Sequence, residues 1–307
     1  MSRIHQALSR AGQEMKESVI AGSVPPPTGM DVMPEASDVP DVPDMFKLPT
    51  TKKEHRPPEK IYYQPRPEHR FVIKEPRFRI AAEAFRLLRL RLERIREKKQ
   101  MSSLLICSSI PREGKSMVAL NLAAALALTS ARVLLVDGDL RKPSLAMMLG
   151  LRSHPGLTGF LEESCDFEAS LCQIDPIGVY FVPGGKLINN PVEQVQSLRM
   201  RKFLSEATSA FDWVIVDSTP VLPFPESICL ASLCDATLMV SRENVTTEED
   251  YKRSLEALKG TNVVAGVLNA AEPIPSDQYY YAYPTSATRT PQILSSINSI
   301  ATAKAEG

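Results

Sequence analysis

The chain of 307 residues holds 36 basic and 36 acidic side chains, so its formal net charge is zero and no global field favours nucleic acid or an anionic membrane. With 43% hydrophobic residues it can bury a substantial core, yet its longest apolar stretches, such as Met117 to Leu128, are far shorter than the roughly 20 residues of a membrane-spanning helix. The five cysteines, at 107, 165, 172, 229 and 234, show no CxxC spacing, and His154 is the one histidine beyond residue 76; reduced thiols are expected here, not a metal cluster or disulfides.

Residues 1–20 open the chain with Ile4, Ala7, Leu8, Ala11 and Met15 at helical spacing, which predicts a short amphipathic helix. Twelve of the 25 prolines then fall between Pro25 and Pro76, so residues 21–76 read as a disordered linker. From residue 77 to 272 the pattern is that of a single α/β domain. A helix is predicted over Arg79 to Lys99. Apolar runs at Ser103 to Cys107, Val133 to Val136, Val179 to Val182, Trp213 to Val216, Ala236 to Val240 and Val263 to Leu268 predict strands buried on both faces. Helical stretches between them, including Lys115 to Thr129, Pro191 to Ala207 and Glu248 to Lys259, imply a mainly parallel sheet with helices on both sides. Residues 273–307 read as a mobile tail.

The first strand runs into Ser108-Ser109-Ile110-Pro111-Arg112-Glu113-Gly114-Lys115-Ser116, and an alanine-rich helix follows. That is the setting of a phosphate-binding loop: N–H groups at a helix N-terminus face the phosphates, Lys115 adds a point charge and Ser116 offers a hydroxyl to Mg2+. Ser109 stands where the first glycine of GxxxxGKS is usual. Two later strands end in acidic segments, Asp137-Gly138-Asp139-Leu140-Arg141 and Asp217-Ser218-Thr219-Pro220. In an open parallel sheet those ends converge on the ligand. Asp137, Asp139 and Asp217 can therefore supply both oxygen ligands for a hard cation and a carboxylate beside the attacking oxygen.

At these segments the chain resembles the bacterial tyrosine kinases, a P-loop NTPase family, over roughly Ile80 to Ala271. The resemblance implies ATP and Mg2+ as cofactors, with ATP contacted by Pro111, Arg112, Glu113, Gly114, Lys115, Ser116, Met117 and Arg141. It implies an adenine contact for Asn269, metal contacts for Ser116, Asp137 and Asp217, and a catalytic set of Lys115, Asp137 and Asp139. Glu83, Arg86 and Arg89 match the family's oligomerisation motif, so a homo-oligomer, such as a ring, is expected. Tyr279, Tyr280, Tyr281 and Tyr283 match its phosphoacceptor cluster, here followed by 24 further residues. The opening Met1 to Leu8 is similar to the exosortase-associated branch, which serves exopolysaccharide production; a membrane-embedded chain-length or activator protein, a cognate phosphatase and a cytoplasmic, membrane-peripheral location follow as expectations. Arg112 departs from the family, which often has glycine there. Two rival readings remain, a Min- or Par-like partitioning ATPase and a nucleotide-gated scaffold without catalysis. The first is disfavoured by Ile110, where such ATPases carry a second lysine.

Overall fold

The structure, a computed structural model, describes residues 58–62, 71–73, 78–151 and 154–271. The expected N-terminal amphipathic helix and the tyrosine cluster lie outside the described residues.

All six predicted strands form, and two more join them. The strands are β1 (Glu59–Tyr62), β2 (Ser103–Ser108), β3 (Val133–Asp137), β4 (Cys172–Asp175), β5 (Val179–Val182), β6 (Trp213–Pro220), β7 (Ala236–Arg242) and β8 (Val263–Asn269). They make one sheet in the order β1-β4-β5-β3-β6-β2-β7-β8, parallel throughout except for the antiparallel β4–β5 pair. The helices are α1 (Arg79–Lys99), α2 (Lys115–Ala127), α3 (Leu145–Leu149), α4 (Gly156–Leu161), α5 (Pro191–Gln196), α6 (Leu198–Ala210), α7 (Glu226–Leu233) and α8 (Glu248–Ala257).

Alternation along the strands explains why the sheet is covered on both sides. Leu104 and Ile106 of β2 pack in one core cluster with Leu92 of α1 and Leu120, Leu122 and Leu126 of α2. Leu105 and Cys107 point the other way, into a second cluster with Phe160 of α4, Phe203 of α6, Leu230 of α7 and Tyr251 of α8. Because α2 sits under the sheet and is apolar all round, it is almost wholly buried, and this fixes where its N-terminus emerges.

Two corrections to the sequence reading arise here. The linker expected over residues 21–76 contributes structure in two places: β1 pairs in parallel with β4, and Phe71, Val72 and Ile73 are buried in the core. The Val72 N–H donates to Asn121 Oδ1 of α2 at 2.9 Å, and Asn121 in turn donates to the Met117 carbonyl. The high proline content hides this, since four-residue strands and single core tripeptides carry too little pattern to stand out. The helix predicted over Pro191 to Ala207 is two helices, because Ser197 is extended (φ −65°, ψ 157°) and its hydroxyl caps α6 by accepting the Met200 N–H. All five cysteines are free; Cys107, Cys172 and Cys234 are buried, and Cys165 and Cys229 are half-buried. Among the described residues no helix is long and apolar enough to cross a membrane.

Candidate active site

Register brings the acidic segments to the loop. Asp137 pairs with Asp217 across β3 and β6, and Asp217 pairs with Ile106 across β6 and β2, so both carboxylates stand at the strand ends from which the Ser108–Ser116 loop departs. The loop then turns into α2 through Gly114, whose φ of +93° is left-handed and whose missing Cβ leaves room for the Asn269 amide. Arg112 is also left-handed, at φ +68°, a conformation that glycine adopts without strain and other residues rarely do. The first intrahelical bond of α2 runs from Val118 N–H to the Gly114 carbonyl. The preceding amides, Lys115, Ser116 and Met117, have no partner within the helix and form the donor set that an anion needs.

Lys115 lies at the centre. Its Nζ is 3.2 Å from Asp139 Oδ2, 3.6 Å from Asp217 Oδ1 and 3.3 Å from Ser116 Oγ. Burial works to lower its pKa, but Asp217 and Asp139 outweigh that and hold it above the ordinary lysine value. Asp137 is fully buried; its oxygens accept the N–H groups of Asp139 and Leu145, at 3.3 and 3.0 Å. Burial and the neighbouring Asp217 raise its pKa to about 8. Asp217 is raised as well, chiefly by burial, with Lys115 and then the Ser116 hydroxyl opposing. Neither of its buried oxygens has a hydrogen-bond partner of full geometry among the described residues.

Those orphaned oxygens, beside the Ser116 hydroxyl and facing a donor-rich loop, fit a hard divalent cation that shares its coordination with phosphate. No cluster of three or more His, Cys, Asp or Glu suited to a metal ion occurs among the described residues. Mg2+ usually takes one or two carboxylate ligands and completes its shell with water and phosphate oxygens.

The other expected site residues divide into three groups. Glu113 is buried, yet its carboxylate points away from the loop's anion-facing side: it accepts the Ile110 N–H at 2.7 Å and the hydroxyl of Thr246. Burial raises its pKa, with the Thr246 bond opposing. Asn269 donates to the Glu113 carbonyl at 2.8 Å. Arg141 turns to α7, donating from Nε to Glu226 at 2.7 Å and lying over the Phe224 ring at 4.8 Å. In α1, Glu83 pairs with Arg86 on the surface, whereas Arg89 turns inward and donates to the Ala125 carbonyl near the end of α2. Glu83 and Arg86 thus lie at the surface of α1, and Arg89 lies against the end of α2. Thr246, Arg242 and Glu226 were missed by sequence reasoning; each lies more than 80 residues from its partner, and no local spacing marks them.

The comparisons with known proteins agree with this geometry. No protein-family model matches the chain. The tyrosine-protein kinase YwqD of Bacillus subtilis is 30% identical over 202 residues, covering 65% of this chain and 85% of that one. The putative tyrosine-protein kinase AmsA of Erwinia amylovora is 31% identical over 206 residues, which is 66% of this chain but 28% of the longer relative. Among solved structures, the kinase domain of the Escherichia coli tyrosine kinase ETK superposes with a TM-score of 0.59 at 26% identity, covering 66% of this chain and 80% of that domain. The BceF tyrosine kinase domain superposes at 0.56 with 27% identity, covering 61% and 76%. On the extent of the match to the Bacillus relative, and with a phosphate loop and two acidic strand ends in register, this chain belongs to the bacterial tyrosine-protein kinase family.

Proposed function

We propose that the chain binds Mg-ATP at the Ser108–Ser116 loop and phosphorylates its own tyrosine cluster, Tyr279, Tyr280, Tyr281 and Tyr283. The observation that carries this reading is the Lys115 ammonium held between Asp139 and Asp217 at the head of an almost wholly buried helix. Lys115 and the amides of Lys115, Ser116 and Met117 would hold the β and γ phosphates. Ser116 and Asp217 would hold Mg2+, with Asp137 beside them; the ion, when bound, neutralises phosphate charge. Each Asp137 oxygen accepts one backbone N–H, which ties the carboxylate to the segment that carries Asp139 and leaves lone pairs toward the ion. Asp139 keeps some exposure, 10% of its side chain, and is the carboxylate an incoming phenol can reach.

In the reaction the tyrosine oxygen forms a bond to the γ phosphorus while the bond from that phosphorus to the β–γ bridging oxygen breaks. ADP leaves with the bridging oxygen, and the phenolic proton passes to Asp139 and on to solvent. Little covalent work falls to the protein, so positioning and charge stabilisation account for most of the rate. Transfer between neighbouring subunits, placed through the Glu83–Arg86 surface of α1, supplies a tail that need not fold back on its own site.

We place this activity in the control of exopolysaccharide synthesis, at the inner face of the membrane, with a membrane-embedded activator and a phosphatase that resets the tail. The sequence resemblance supports that setting. A complementation experiment tests the kinase reading: Lys115→Met protein, which keeps its tyrosines, is mixed in Mg-ATP with a variant whose four cluster tyrosines are phenylalanine. Phosphotyrosine on the Lys115→Met chain supports transfer between subunits; label on neither chain, with wild type labelled alone, refutes that transfer, and wild type without label in Mg-ATP refutes the kinase reading.

A further inference from the structure

The ends of β7 and β8 and the turn after β7 grip the outside of the phosphate loop. Arg242, the last residue of β7, donates from Nη1 to the Arg112 carbonyl at 3.2 Å. Asn269, the last residue of β8, donates to the Glu113 carbonyl at 2.8 Å. Thr246, in the turn between β7 and α8, donates its hydroxyl to the buried Glu113 carboxylate and accepts the Arg242 N–H at 2.7 Å. The Glu113 carboxylate closes the ring by accepting the Ile110 N–H at 2.7 Å.

The consequence follows from peptide planarity. The only cis peptide among the described residues is Asp175-Pro176, so the peptides after Arg112 and Glu113 are trans, and each carbonyl points opposite to the N–H of the same plane. With both carbonyls drawn outward by Arg242 and Asn269, the N–H groups of Glu113 and Gly114 are directed to the other side. They thereby extend the donor set of Lys115, Ser116 and Met117. The same pull holds Arg112 at φ +68°, a conformation that a non-glycine residue leaves readily when nothing constrains it. Thr246 is 4% exposed and Glu113 fully buried, so their bond competes with little water.

We propose that Thr246, with Arg242, is a positioning residue for nucleotide binding: the turn after β7 sets the anion-binding shape of the phosphate loop through Glu113 and the Arg112 carbonyl. It touches neither phosphate nor metal. The inference rests on the reading of Ser108–Ser116 as the nucleotide loop. It assigns the turn a share of nucleotide affinity and none of the chemical step.

Thr246→Val removes the hydroxyl with little change of shape and no change of charge, and Thr246→Ser restores it. A hydrogen bond to a buried charged group is worth about 1.5–3 kcal/mol, so Thr246→Val is expected to weaken Mg-ATP binding by about 10- to 100-fold. The change should appear in KM for ATP and in the calorimetric Kd for Mg-ADP, with kcat at saturating ATP within about threefold of wild type. Thr246→Ser is expected to recover most of the affinity. If Thr246→Val keeps wild-type affinity, or lowers the nucleotide-free melting temperature and leaves KM unmoved, the residue is merely structural and the proposal is overturned. Equal loss in the Val and Ser variants overturns it as well. Failure of the wild-type protein to bind Mg-ADP would instead remove the nucleotide-loop reading on which the inference stands.

Discussion

Lys115→Met is the usual way to silence a phosphate loop, and here it should also destabilise the nucleotide-free protein. The ammonium stands 3.2 Å from Asp139 and 3.6 Å from Asp217, and Asp217 is wholly buried. At an effective dielectric constant of about 20, each contact is worth roughly 5 kcal/mol of gross Coulomb energy, most of it offset by desolvation. Once the lysine is gone, the cheapest relief is for a carboxylate to fold protonated. Measured from the ordinary aspartate value of 3.8, that costs at most about 4 kcal/mol at pH 7 and about 2 kcal/mol at pH 5.5. Asp217 already lies above its ordinary value, so wild type bears part of that cost and the expected loss at pH 7 stays below about 4 kcal/mol, which caps the fall in melting temperature at roughly 8–16 °C for a domain of this size. The sign is fixed by linkage. A carboxylate whose folded pKa is raised causes no loss below its unfolded pKa, and the loss grows as pH rises toward the folded value. The gap between wild type and Lys115→Met should therefore widen from pH 5.5 to pH 8, and adding Asp217→Asn to the variant should recover most of it without restoring nucleotide binding. Thermal melts of the three proteins at both pH values decide the matter. If Lys115→Met melts with wild type at pH 8, or Asp217→Asn brings no recovery, the buried triad does not carry the charge balance inferred for it.

Three further outcomes follow from particular contacts. Arg112→Gly relieves a left-handed residue worth about 1–2 kcal/mol and adds about 0.5–1 kcal/mol of unfolded-state entropy, so urea unfolding should show a gain of about 0.5–1 kcal/mol; a loss would contradict φ +68° at this position. Phe71→Ala should cost about 3 kcal/mol in urea unfolding because the ring is 3% exposed; an unchanged stability would contradict its place in the core. Arg89→Ala should weaken the isolated subunit by about 1–2 kcal/mol through the lost bond to Ala125, whereas Arg86→Ala, with 41% of its side chain exposed, should leave stability within about 0.5 kcal/mol and alter only the sedimentation of the oligomer.

The parts of the site that were legible in the sequence are those where chemistry and local pattern coincide. An apolar strand, a loop with Gly114-Lys115-Ser116 and a buried helix are one continuous signal, and Asp137 and Asp217 each follow an apolar run that can only be an interior strand. What stayed hidden lives in tertiary contacts between distant segments. Glu113 looks like one more loop residue until Thr246, 133 positions away, is seen to bind it. Arg89 continues the three-residue spacing of Glu83 and Arg86, yet spacing cannot show that this turn of α1 faces the end of α2. The pairing of β1 with β4 escapes for a related reason: its four residues follow Pro58, and their partner strand is itself only four residues long. For Arg141, likewise, the sequence shows its place in an Asp-x-Asp-x-Arg segment but not that its guanidinium meets Glu226 and Phe224.

The most direct test is peptide mapping by mass spectrometry of purified protein before and after incubation with Mg-ATP, with Lys115→Met in parallel. Phosphotyrosine should accumulate in wild type on the peptide holding Tyr279, Tyr280, Tyr281 and Tyr283, should require both Mg2+ and ATP, and should be absent from the variant alone. ATP consumed with no phosphotyrosine anywhere in the chain, or equal labelling of wild type and Lys115→Met, would contradict the assignment of a tyrosine autokinase centred on Lys115.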